Sequence, residues 1–357
     1  MIGVPLRKMG GDVHEAGRYQ GSRGRRQDRI MPGRSRGEAE ERPELAENHD
    51  VVTVGETMVL GVPPRPGRLR HATGLELKIG GAESNLAVAL SRLGLSAGWA
   101  SYLGDDEPGQ LVLDRIRAEG VDTSQVRRLK DYPTGLYLRE QVGTDVRVYY
   151  YSQGSAASTM QPKAFDLDYL SGAKFLHLTG ITPALSEGCR DFVLWAVREV
   201  GARVSFDVNY RSKLWGTDEA REFVEEILPD VYLLFVGDEE ARALWGRDDE
   251  ALARELARRG PEEVILKRGK EGSLALVGDE VLDHPSFEVT EVDSVGAGDA
   301  FAAGYLAGHV WDLPPEEHLR VANAMGALSV ATLGDYEGLP DRDELRAFLE
   351  GEEFLGR

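Results

Sequence analysis

The feature that most constrains the fold is a regular alternation of short apolar segments and amphipathic segments that begins near residue 165. Apolar runs typical of buried strands and segments with a helical period take turns along this part of the chain. The predicted strands cover 173–178, 203–208, 231–236 and 263–267, and the predicted helices cover 187–200, 218–228, 238–244 and 249–259. Because parallel strands need long crossover connections, usually helices, this order predicts a three-layer α/β/α fold with a mostly parallel sheet.

A second, smaller sheet is predicted from segments nearer the N-terminus. Residues 134–142 and 145–151 both alternate apolar and polar side chains and flank Gly143-Thr144, which predicts a β-hairpin. Residues 75–79 also alternate, and the proline-rich stretch 63–67 predicts a loop. Polar and aromatic strands of this kind suit a small sheet that covers a site or meets a partner.

A glycine-rich turn lies between a predicted strand at 287–290 and a predicted buried helix at 300–308. The unpaired N–H groups at a helix start attract anions, and Gly296 and Gly298 would let a phosphate approach the backbone. Asp299 follows in the first turn, either as a positioned base or as an ordinary helix cap. Gly80-Gly81 begins a second helix start of the same kind, where Asn85 would face a ligand or cap the helix.

Several polar or glycine-rich stretches are predicted to follow the carboxyl ends of strands. Ligands of open parallel sheets bind at these ends. The stretches are 207–211, 237–238, 267–272 and 296–299. Their agreement in position predicts a functional site there, whereas His177, inside an apolar strand, is predicted to be a packed core residue.

Composition and missing motifs narrow the chemistry. The chain has 357 residues and a formal net charge of −19, which argues against a nucleic-acid binder. Cys189 is the single cysteine, no apolar run is long enough for a membrane span, and no signal peptide pattern opens the chain, so a cytoplasmic location is expected. Walker, HExxH, CxxC and Gly-x-Ser-x-Gly motifs do not occur. A glycine-lined anion site, a carboxylate and basic strand ends suit phosphoryl transfer to a hydroxyl.

Residues 1–48 differ from the rest because they are rich in glycine and arginine without apolar periodicity. This composition predicts a disordered basic extension. It could be an interaction arm, a targeting segment or a tail without a role, and Met31 could be the true start. The remaining organisation is predicted as one domain over 49–350, with lid segments at 60–80 and 132–154, and a tail at 351–357.

Asp293-Ser294-Val295-Gly296-Ala297-Gly298-Asp299 resembles the D-T-x-G-A-G-D signature of the ribokinase-like (PfkB) sugar kinases, with Ser294 in place of threonine. The stretch 80–85 resembles the G-G-x-x-x-N helix start of the same family. Within it the chain is most similar to bacterial 2-keto-3-deoxygluconate kinases, through 80–83, 135–140, 178–185, 207–211 and 334–338. The resemblance runs from about 51 to 349 and implies a ribokinase-like fold with a β-sheet lid.

The resemblance implies an ATP-dependent kinase that phosphorylates the terminal hydroxyl of a small sugar acid. Asp299 would be the base, and the amides from Gly296 through Ala297 and Gly298 to Asp299 would form the anion hole. The implied substrate-binding residues are Gly81, Asn85, Tyr137, Tyr150, Arg211 and Asp335. The implied ATP-binding residues are Asn209, Lys267, Gly269, Gly272 and Asn323. Mg²⁺ would accompany ATP, and the resemblance leaves open whether K⁺ is also a cofactor. A homo-oligomer assembled through the lid is expected.

Two positions depart from the family pattern. Ser152 follows Tyr149-Tyr150-Tyr151 where an arginine that meets the substrate carboxylate is common, so Arg211 alone, or Arg139, would take that role. Gly237-Asp238-Glu239-Glu240 replaces an N-x-x-E element, which leaves Glu240 as the candidate near the metal. The alternatives are a kinase of fructose, ribose or a nucleoside, and a non-catalytic sugar-binding regulator.

Overall fold

The structure, a computed structural model, describes residues 49–143 and 145–351. The predicted extension at 1–48 lies outside the described residues, as does the predicted tail beyond residue 351. The strands are β1 (His49–Val54), β2 (Met58–Val62), β3 (Glu76–Gly80), β4 (Ala97–Gly104), β5 (Val126–Leu129), β6 (Leu136–Val142), β7 (Asp145–Tyr151), β8 (Ala173–Thr179), β9 (Arg203–Asp207), β10 (Leu233–Gly237), β11 (Glu263–Lys267), β12 (Ser273–Val277) and β13 (Glu280–His284). The helices are α1 (Ala82–Arg92), α2 (Glu107–Ala118), α3 (Leu167–Ser171), α4 (Glu187–Glu199), α5 (Thr217–Ile227), α6 (Asp238–Trp245), α7 (Glu250–Ala257), α8 (Ala297–Val310), α9 (Pro315–Val330) and α10 (Arg342–Glu350).

The main sheet confirms the predicted α/β architecture. Its nine strands among the described residues run in the order β13-β12-β11-β10-β9-β8-β1-β4-β5. All neighbours from β11 to β5 are parallel, and only β12 and β13 are antiparallel. The carboxyl ends of β9, β10 and β11 therefore meet at one edge, with Phe235 in register with both Asp207 and Ile265.

Two apolar cores lie on the two faces of this sheet. Side chains that alternate along the strands pack under α4, α5, α6 and α7 on one face, with Phe192, Phe206 and Phe223 fully buried. On the other face they pack under α1, α2, α8 and α9, where Trp99 and Tyr305 are fully buried. Helix α8 is rich in alanine and glycine, so its backbone lies close to α9: a Cβ added at Gly304 would be 2.8 Å from the Ala322 Cα. Such sequences suit a helix that is buried all round.

The smaller sheet has four strands in the order β3-β2-β6-β7. Strands β6 and β7 form the predicted hairpin, with Tyr137 directly opposite Tyr150. Strand β2 was not predicted. It is short and contains Gly61, but it joins the other three strands by pairing antiparallel with β3 and parallel with β6.

The predicted strand at 287–290 is wrong, because this segment pairs with no strand in the structure. Phe287 packs on Phe348 of α10 with ring centroids 5.1 Å apart, whereas residues 288–290 are exposed. The alternation therefore reflects one side chain packed on a helix. The glycine-rich turn precedes α8 without following a strand of the sheet.

The structure also bears on two smaller expectations, a packed histidine and the length of the apolar helices. His177 is a packed core residue, since its Nδ1 lies 3.0 Å from the Ser205 hydroxyl and burial lowers its pKa to about 4. No helix among residues 49–143 and 145–351 is long and apolar enough to cross a membrane.

Candidate active site

The start of α8 has a conformation that glycine favours. Gly296 precedes the helix with φ of 81°, in the left-handed region. A Cβ at this position would lie 2.1 Å from the backbone oxygen of Asp335, so a larger residue would displace the turn that follows α9. The first N–H groups of α8 have no partner within the helix, which makes this end a site for an anion.

Asp299 lies in the first turn of α8 and is partly buried. Its Oδ2 accepts a hydrogen bond of 2.8 Å from the Asn85 side-chain amide, which comes from the first turn of α1. Burial and the Asp207 charge raise the pKa of Asp299, the Asn85 hydrogen bond and the Lys267 charge lower it, and the resulting pKa is about 7. A carboxyl group with a pKa near neutrality suits a general base.

A buried ion pair stands beside this carboxylate at the ends of β9 and β11. Lys267 Nζ lies 2.6 Å from Oδ2 of Asp207; the Asp207 side chain is 2% exposed and the Lys267 side chain is 14% exposed. Burial lowers the pKa of Lys267, but the charges of Asp207 and Glu240 outweigh this and raise it above its ordinary value. Lys267 is therefore a fixed positive charge next to the start of α8.

Gly298 brings this charge close to the helix backbone. A Cβ added at Gly298 would lie 3.3 Å from Lys267 Nζ, which is tighter than ordinary packing. The ammonium group thus lies at the same helix start as the first backbone N–H groups of α8. Together they can stabilise negative charge on a transferring phosphoryl group.

The lid contributes a tyrosine pair held by a carboxylate. The Tyr137 hydroxyl donates to Oδ2 of Asp335 at 2.6 Å, and its ring stacks on Tyr150 with centroids 5.7 Å apart. Burial raises the pKa of Asp335 and the Tyr137 hydrogen bond lowers it, and the resulting pKa is about 6. Tyr150 is 46% exposed, so the tyrosine pair extends from the interior to solvent.

Further contacts join the lid to the main domain. Lys78 of β3 forms an ion pair of 2.9 Å with Glu337, in the same turn as Asp335. Lys213 Nζ donates to the backbone oxygen of Val148 in β7 at 3.0 Å and lies over the Tyr150 ring. The residues after β9 and the turn after α9 therefore both contact the small sheet.

Arg139, the second arginine considered for the substrate carboxylate, is paired with carboxylates of the protein. Its Nη2 lies 2.7 Å from Oδ1 of Asp293 and its Nη1 lies 3.9 Å from Oδ1 of Asp335. The arginine is 4% exposed, and both carboxylates are buried with it. Arg139 therefore links the signature segment that begins at Asp293 to β6.

Arg211 is the other arginine considered for the substrate carboxylate, and it is exposed. Its positive charge lowers the pKa of Asp299 and of Tyr150, which places it within electrostatic reach of both. Gly81 begins α1 at the same side, and a Cβ there would lie 2.4 Å from the Glu56 backbone oxygen. Ser152 follows β7, and its backbone oxygen accepts from the Ser155 N–H.

Of the residues predicted to bind ATP, one follows β9 and the others lie at or next to the turn between β11 and β12. Asn209 follows β9 with φ of 38° and is buried. Gly269 and Gly272 lie in the turn between β11 and β12, with φ of 54° and 94°. Asn323 of α9 donates to the Ser273 hydroxyl, next to Gly272, at 2.7 Å. Its amide also donates to the Leu319 backbone oxygen at 2.8 Å, so Asn323 orients the turn.

Glu240, the metal candidate, uses both carboxylate oxygens within the protein. Oε2 accepts from the Gly237 N–H at 2.8 Å, and Oε1 accepts from the Tyr210 N–H at 3.0 Å. Burial raises its pKa and Lys267 lowers it. Asp207 offers an oxygen that is better suited to a metal ion than those of Glu240, because its Oδ1 is buried and has no hydrogen-bond partner among the described residues.

Asp207 and Glu83 lie in the stretches 207–211 and 80–83 named above, but the sequence assigned neither residue a role of its own. Asp207 is a charged residue at the end of an otherwise apolar strand, which is a usable signal. Glu83 is buried in α1, where Thr179 donates to its Oε1 at 2.7 Å and burial raises its pKa to about 7. A glutamate in a first helical turn has no such signal, since acidic residues are common there.

A search of protein families matches residues 48–342 to the model described as the pfkB family carbohydrate kinase. The chain belongs to the pfkB family of carbohydrate kinases. The match covers the glycine-containing start of α8, Asp299 and the tyrosine pair. The protein is therefore a sugar kinase with a ribokinase-like fold.

Curated relatives of this family cover most of the chain. A 2-dehydro-3-deoxygluconokinase of Bacillus subtilis is 38% identical over 312 residues, which is 85% of this chain and 96% of the relative. A 2-dehydro-3-deoxygalactonokinase of Haloferax volcanii is 38% identical over 310 residues, covering 85% and 97%. A solved structure of an E. coli protein assigned as ribokinase II, in complex with ATP and Mg²⁺, is 26% identical with a TM-score of 0.78, covering 85% of this chain and all of that one.

Proposed function

We propose that this protein transfers the γ-phosphoryl group of ATP to the terminal hydroxyl of 2-keto-3-deoxygluconate, giving the 6-phosphate. The observation that carries the proposal is the partly buried Asp299 at the glycine-lined start of α8, with a pKa of about 7 and Lys267 beside it. The similarity to named 2-dehydro-3-deoxygluconokinases supports the choice of substrate.

The acceptor hydroxyl is activated by Asp299. The carboxylate takes the proton as the hydroxyl oxygen attacks the γ-phosphorus, the bond from this phosphorus to the β,γ-bridging oxygen breaks, and ADP leaves. Asn85 keeps the carboxylate in place through Oδ2. The amides of Gly296, Ala297, Gly298 and Asp299 donate to the equatorial oxygens of the transferring group, and Lys267 adds a positive charge.

The sugar acid lies between the tyrosine pair and α1. Arg211 is proposed to bind its carboxylate, because Arg139 is occupied by Asp293 and Ser152 has no charge. Tyr137 and Tyr150 bind the carbon chain and its hydroxyls, with Gly81 and Asp335 lining the same space. A guanidinium can make two parallel hydrogen bonds to a carboxylate, which favours acids over neutral sugars.

ATP is proposed to bind along the ends of β9 to β12, with Asn209, Gly269, Gly272 and Asn323 lining its site. The donor set fits Mg²⁺, which prefers carboxylates combined with phosphate oxygens and water. Asp207 would hold it through the unpartnered Oδ1, with Glu240 as an outer partner. When bound with ATP, Mg²⁺ neutralises charge on the phosphates.

Two further proposals follow from the same assignment. The lid exposes several apolar side chains, which would be covered in a homo-oligomer assembled through the lid: Leu75, Leu77, Val142, Val146 and Tyr151. A cytoplasmic location is proposed because ATP is available there. Sedimentation of wild type and a Leu77→Glu variant tests the oligomer, which should dissociate in the variant.

The experiment is an ATP-consumption assay over 2-keto-3-deoxygluconate, its galactonate epimer, gluconate, fructose, ribose and adenosine. We expect the two keto-deoxy acids to give the highest kcat/KM, with the gluconate form preferred. Turnover of a neutral sugar or a nucleoside in place of the acids would contradict the substrate assignment. If the Asp299→Asn variant consumes ATP with the sugar acid at the wild-type rate, the assignment of Asp299 as the base is contradicted. Repeating the assay with Na⁺ in place of K⁺ decides whether K⁺ is required.

A further inference from the structure

Two histidines and a glutamate form a cluster at the edge of the sheet opposite to the candidate active site. Glu263 is the first residue of β11, whereas Lys267 is the last. His309 lies in the last turn of α8, and His318 lies in the first turns of α9. Ten residues of helix separate Asp299 from His309, or about 15 Å at 1.5 Å per residue.

The three side chains approach one another closely. His309 Nε2 lies 3.1 Å from Oε2 of Glu263, and the two histidine rings have centroids 4.4 Å apart. One potential ligand atom from each residue lies within 4.8 Å of the other two. The ligands of a tetrahedral zinc ion are about 3.3 Å apart, as Zn–N bonds of about 2.0 Å require. Small side-chain rotations would therefore close the cluster around an ion.

The tautomer of His318 is set for metal binding. Its Nε2 lies 2.7 Å from the backbone oxygen of Leu313, so Nε2 carries the proton and donates it there. Nδ1 is then a bare lone pair, and it is buried without a hydrogen-bond partner among the described residues, in a side chain that is 4% exposed. Leaving such an atom unpaired costs free energy. A backbone carbonyl on the other ring nitrogen is the usual outer partner of a metal-bound histidine.

Two tyrosines hold the carboxylate of the cluster. The Tyr305 hydroxyl donates to Oε2 of Glu263 at 2.7 Å, and the Tyr232 hydroxyl donates to Oε1 at 3.3 Å. Carboxylates that bind a metal are themselves hydrogen-bonded to groups outside the ligand set in the same way.

We propose that Glu263, His309 and His318 form a binding site for a divalent transition metal, with Zn²⁺ as the best match. Two imidazoles and one carboxylate are a ligand set that Zn²⁺ takes, with a fourth position open to water. Glu263 also lines a surface groove together with Tyr232, so one residue of the proposed site borders an opening to solvent.

The bound ion would join three elements of the fold. It would fix the C-terminal end of α8 and the start of α9 to the first residue of β11. Asp299 lies at the other end of α8, so the ion would not contact the reacting groups. It would stabilise the helix that carries Asp299. Neither nucleotide nor sugar is needed for binding, so the inference does not depend on the proposed function.

The test is a calorimetric titration of the chelator-treated full-length protein with Zn²⁺, without nucleotide. We expect one ion per chain and an increase in the thermal unfolding temperature. Co²⁺ in the same site should give the visible absorption of a tetrahedral ion. His318→Gln and His309→Gln should each weaken Zn²⁺ binding by at least about 100-fold, more than the loss of an outer partner, which costs about 10- to 100-fold.

His71→Gln is the matched control, because His71 is an exposed histidine on the loop before β3 and should leave Zn²⁺ binding unchanged. If His318→Gln does not fold, the His309→Gln titration and the wild-type Co²⁺ spectrum decide the result. The proposal is overturned if the wild type binds no Zn²⁺, or if both glutamine variants bind it as tightly as the wild type.

Discussion

The side-chain amide of Asn85 donates to Oδ2 of Asp299 across 2.8 Å, and this contact joins the first turns of two helices. Helices α1 and α8 begin at glycine-containing turns that are more than 200 residues apart in sequence. The hydrogen bond orients the carboxylate toward the space between the two helix starts. Asn85 is therefore best described as a positioning residue for Asp299, in addition to its predicted contact with substrate.

Replacing Asp299 by asparagine should reduce kcat by about 10²- to 10⁴-fold, the usual contribution of a general base. The change keeps the shape of the side chain and an oxygen that can accept from Asn85, so the Kd for the sugar acid should change little. Steady-state kinetics and equilibrium binding measure the two effects. Asp218→Asn, at an exposed carboxylate of α5, is the control and should retain the wild-type rate.

The pH dependence of the wild-type enzyme should report the same carboxylate. Because the base must be ionised and burial raises the pKa of Asp299 to about 7, kcat/KM should rise with pH to a plateau, with a midpoint near 7. Below the midpoint it should fall about tenfold per pH unit. A midpoint near 4, the ordinary range of an aspartate, would contradict the assignment.

Asp299→Asn should also be more stable than the wild type at pH 8. The folded pKa is raised above the unfolded value, so the aspartate favours folding when protonated and this stability is lost as pH rises from about 4 to 7. At about 1.4 kcal/mol per pKa unit, the variant should gain about 2 to 4 kcal/mol at pH 8. Urea unfolding at pH 8 and pH 5.5 should show a gain that shrinks at the lower pH.

The two arginines near the lid should respond differently to the same substitution. Arg139→Met leaves the buried carboxylate of Asp293 unpaired, which should destabilise the protein by about 3 to 5 kcal/mol. Arg211→Met should leave stability nearly unchanged, because the side chain is exposed. It should lower kcat/KM for the sugar acid by about 10- to 100-fold, consistent with about 1.5 to 3 kcal/mol for a hydrogen bond to a charged group. Equal effects on stability would contradict this division.

A single methyl group at Gly298 should reduce phosphoryl transfer. The added Cβ would lie 3.3 Å from Lys267 Nζ and would move the ammonium group away from the start of α8. We expect kcat to fall by about 10-fold or more, on the scale of a displaced charge in an anion site. Gly326→Ala is the control, since its Cβ would make only ordinary contacts at 3.6 Å with the Ala297 backbone oxygen, and its activity should be unchanged.

The layout of the main sheet could be predicted because its strands and helices follow one another with clear periods. The position of Asp299 in a helix start could also be predicted, although the expected strand before it does not form. Residues 287–290 pack Phe287 on α10, and sequence periodicity cannot distinguish such packing from strand pairing.

The partners of charged residues could not be predicted, since they depend on contacts between distant parts of the chain. The sequence assigned Arg211 to the substrate and kept Arg139 as an alternative, but it did not indicate that Arg139 is buried against Asp293. The cluster of Glu263, His309 and His318 was missed for the same reason. Its members belong to three elements, and their spacing matches no metal-binding motif.

The backbone oxygen of Asp335 contacts the turn at Gly296, and its carboxylate holds Tyr137 of the lid. One short turn after α9 therefore contacts both the part of the site proposed to bind phosphate and the part proposed to bind the sugar. If the lid of a relative were grafted onto this protein to change its sugar preference, Tyr137 would be replaced while Asp335, the acceptor of its hydrogen bond, would stay. The unit that can be exchanged between such enzymes is the lid together with residues 333–337.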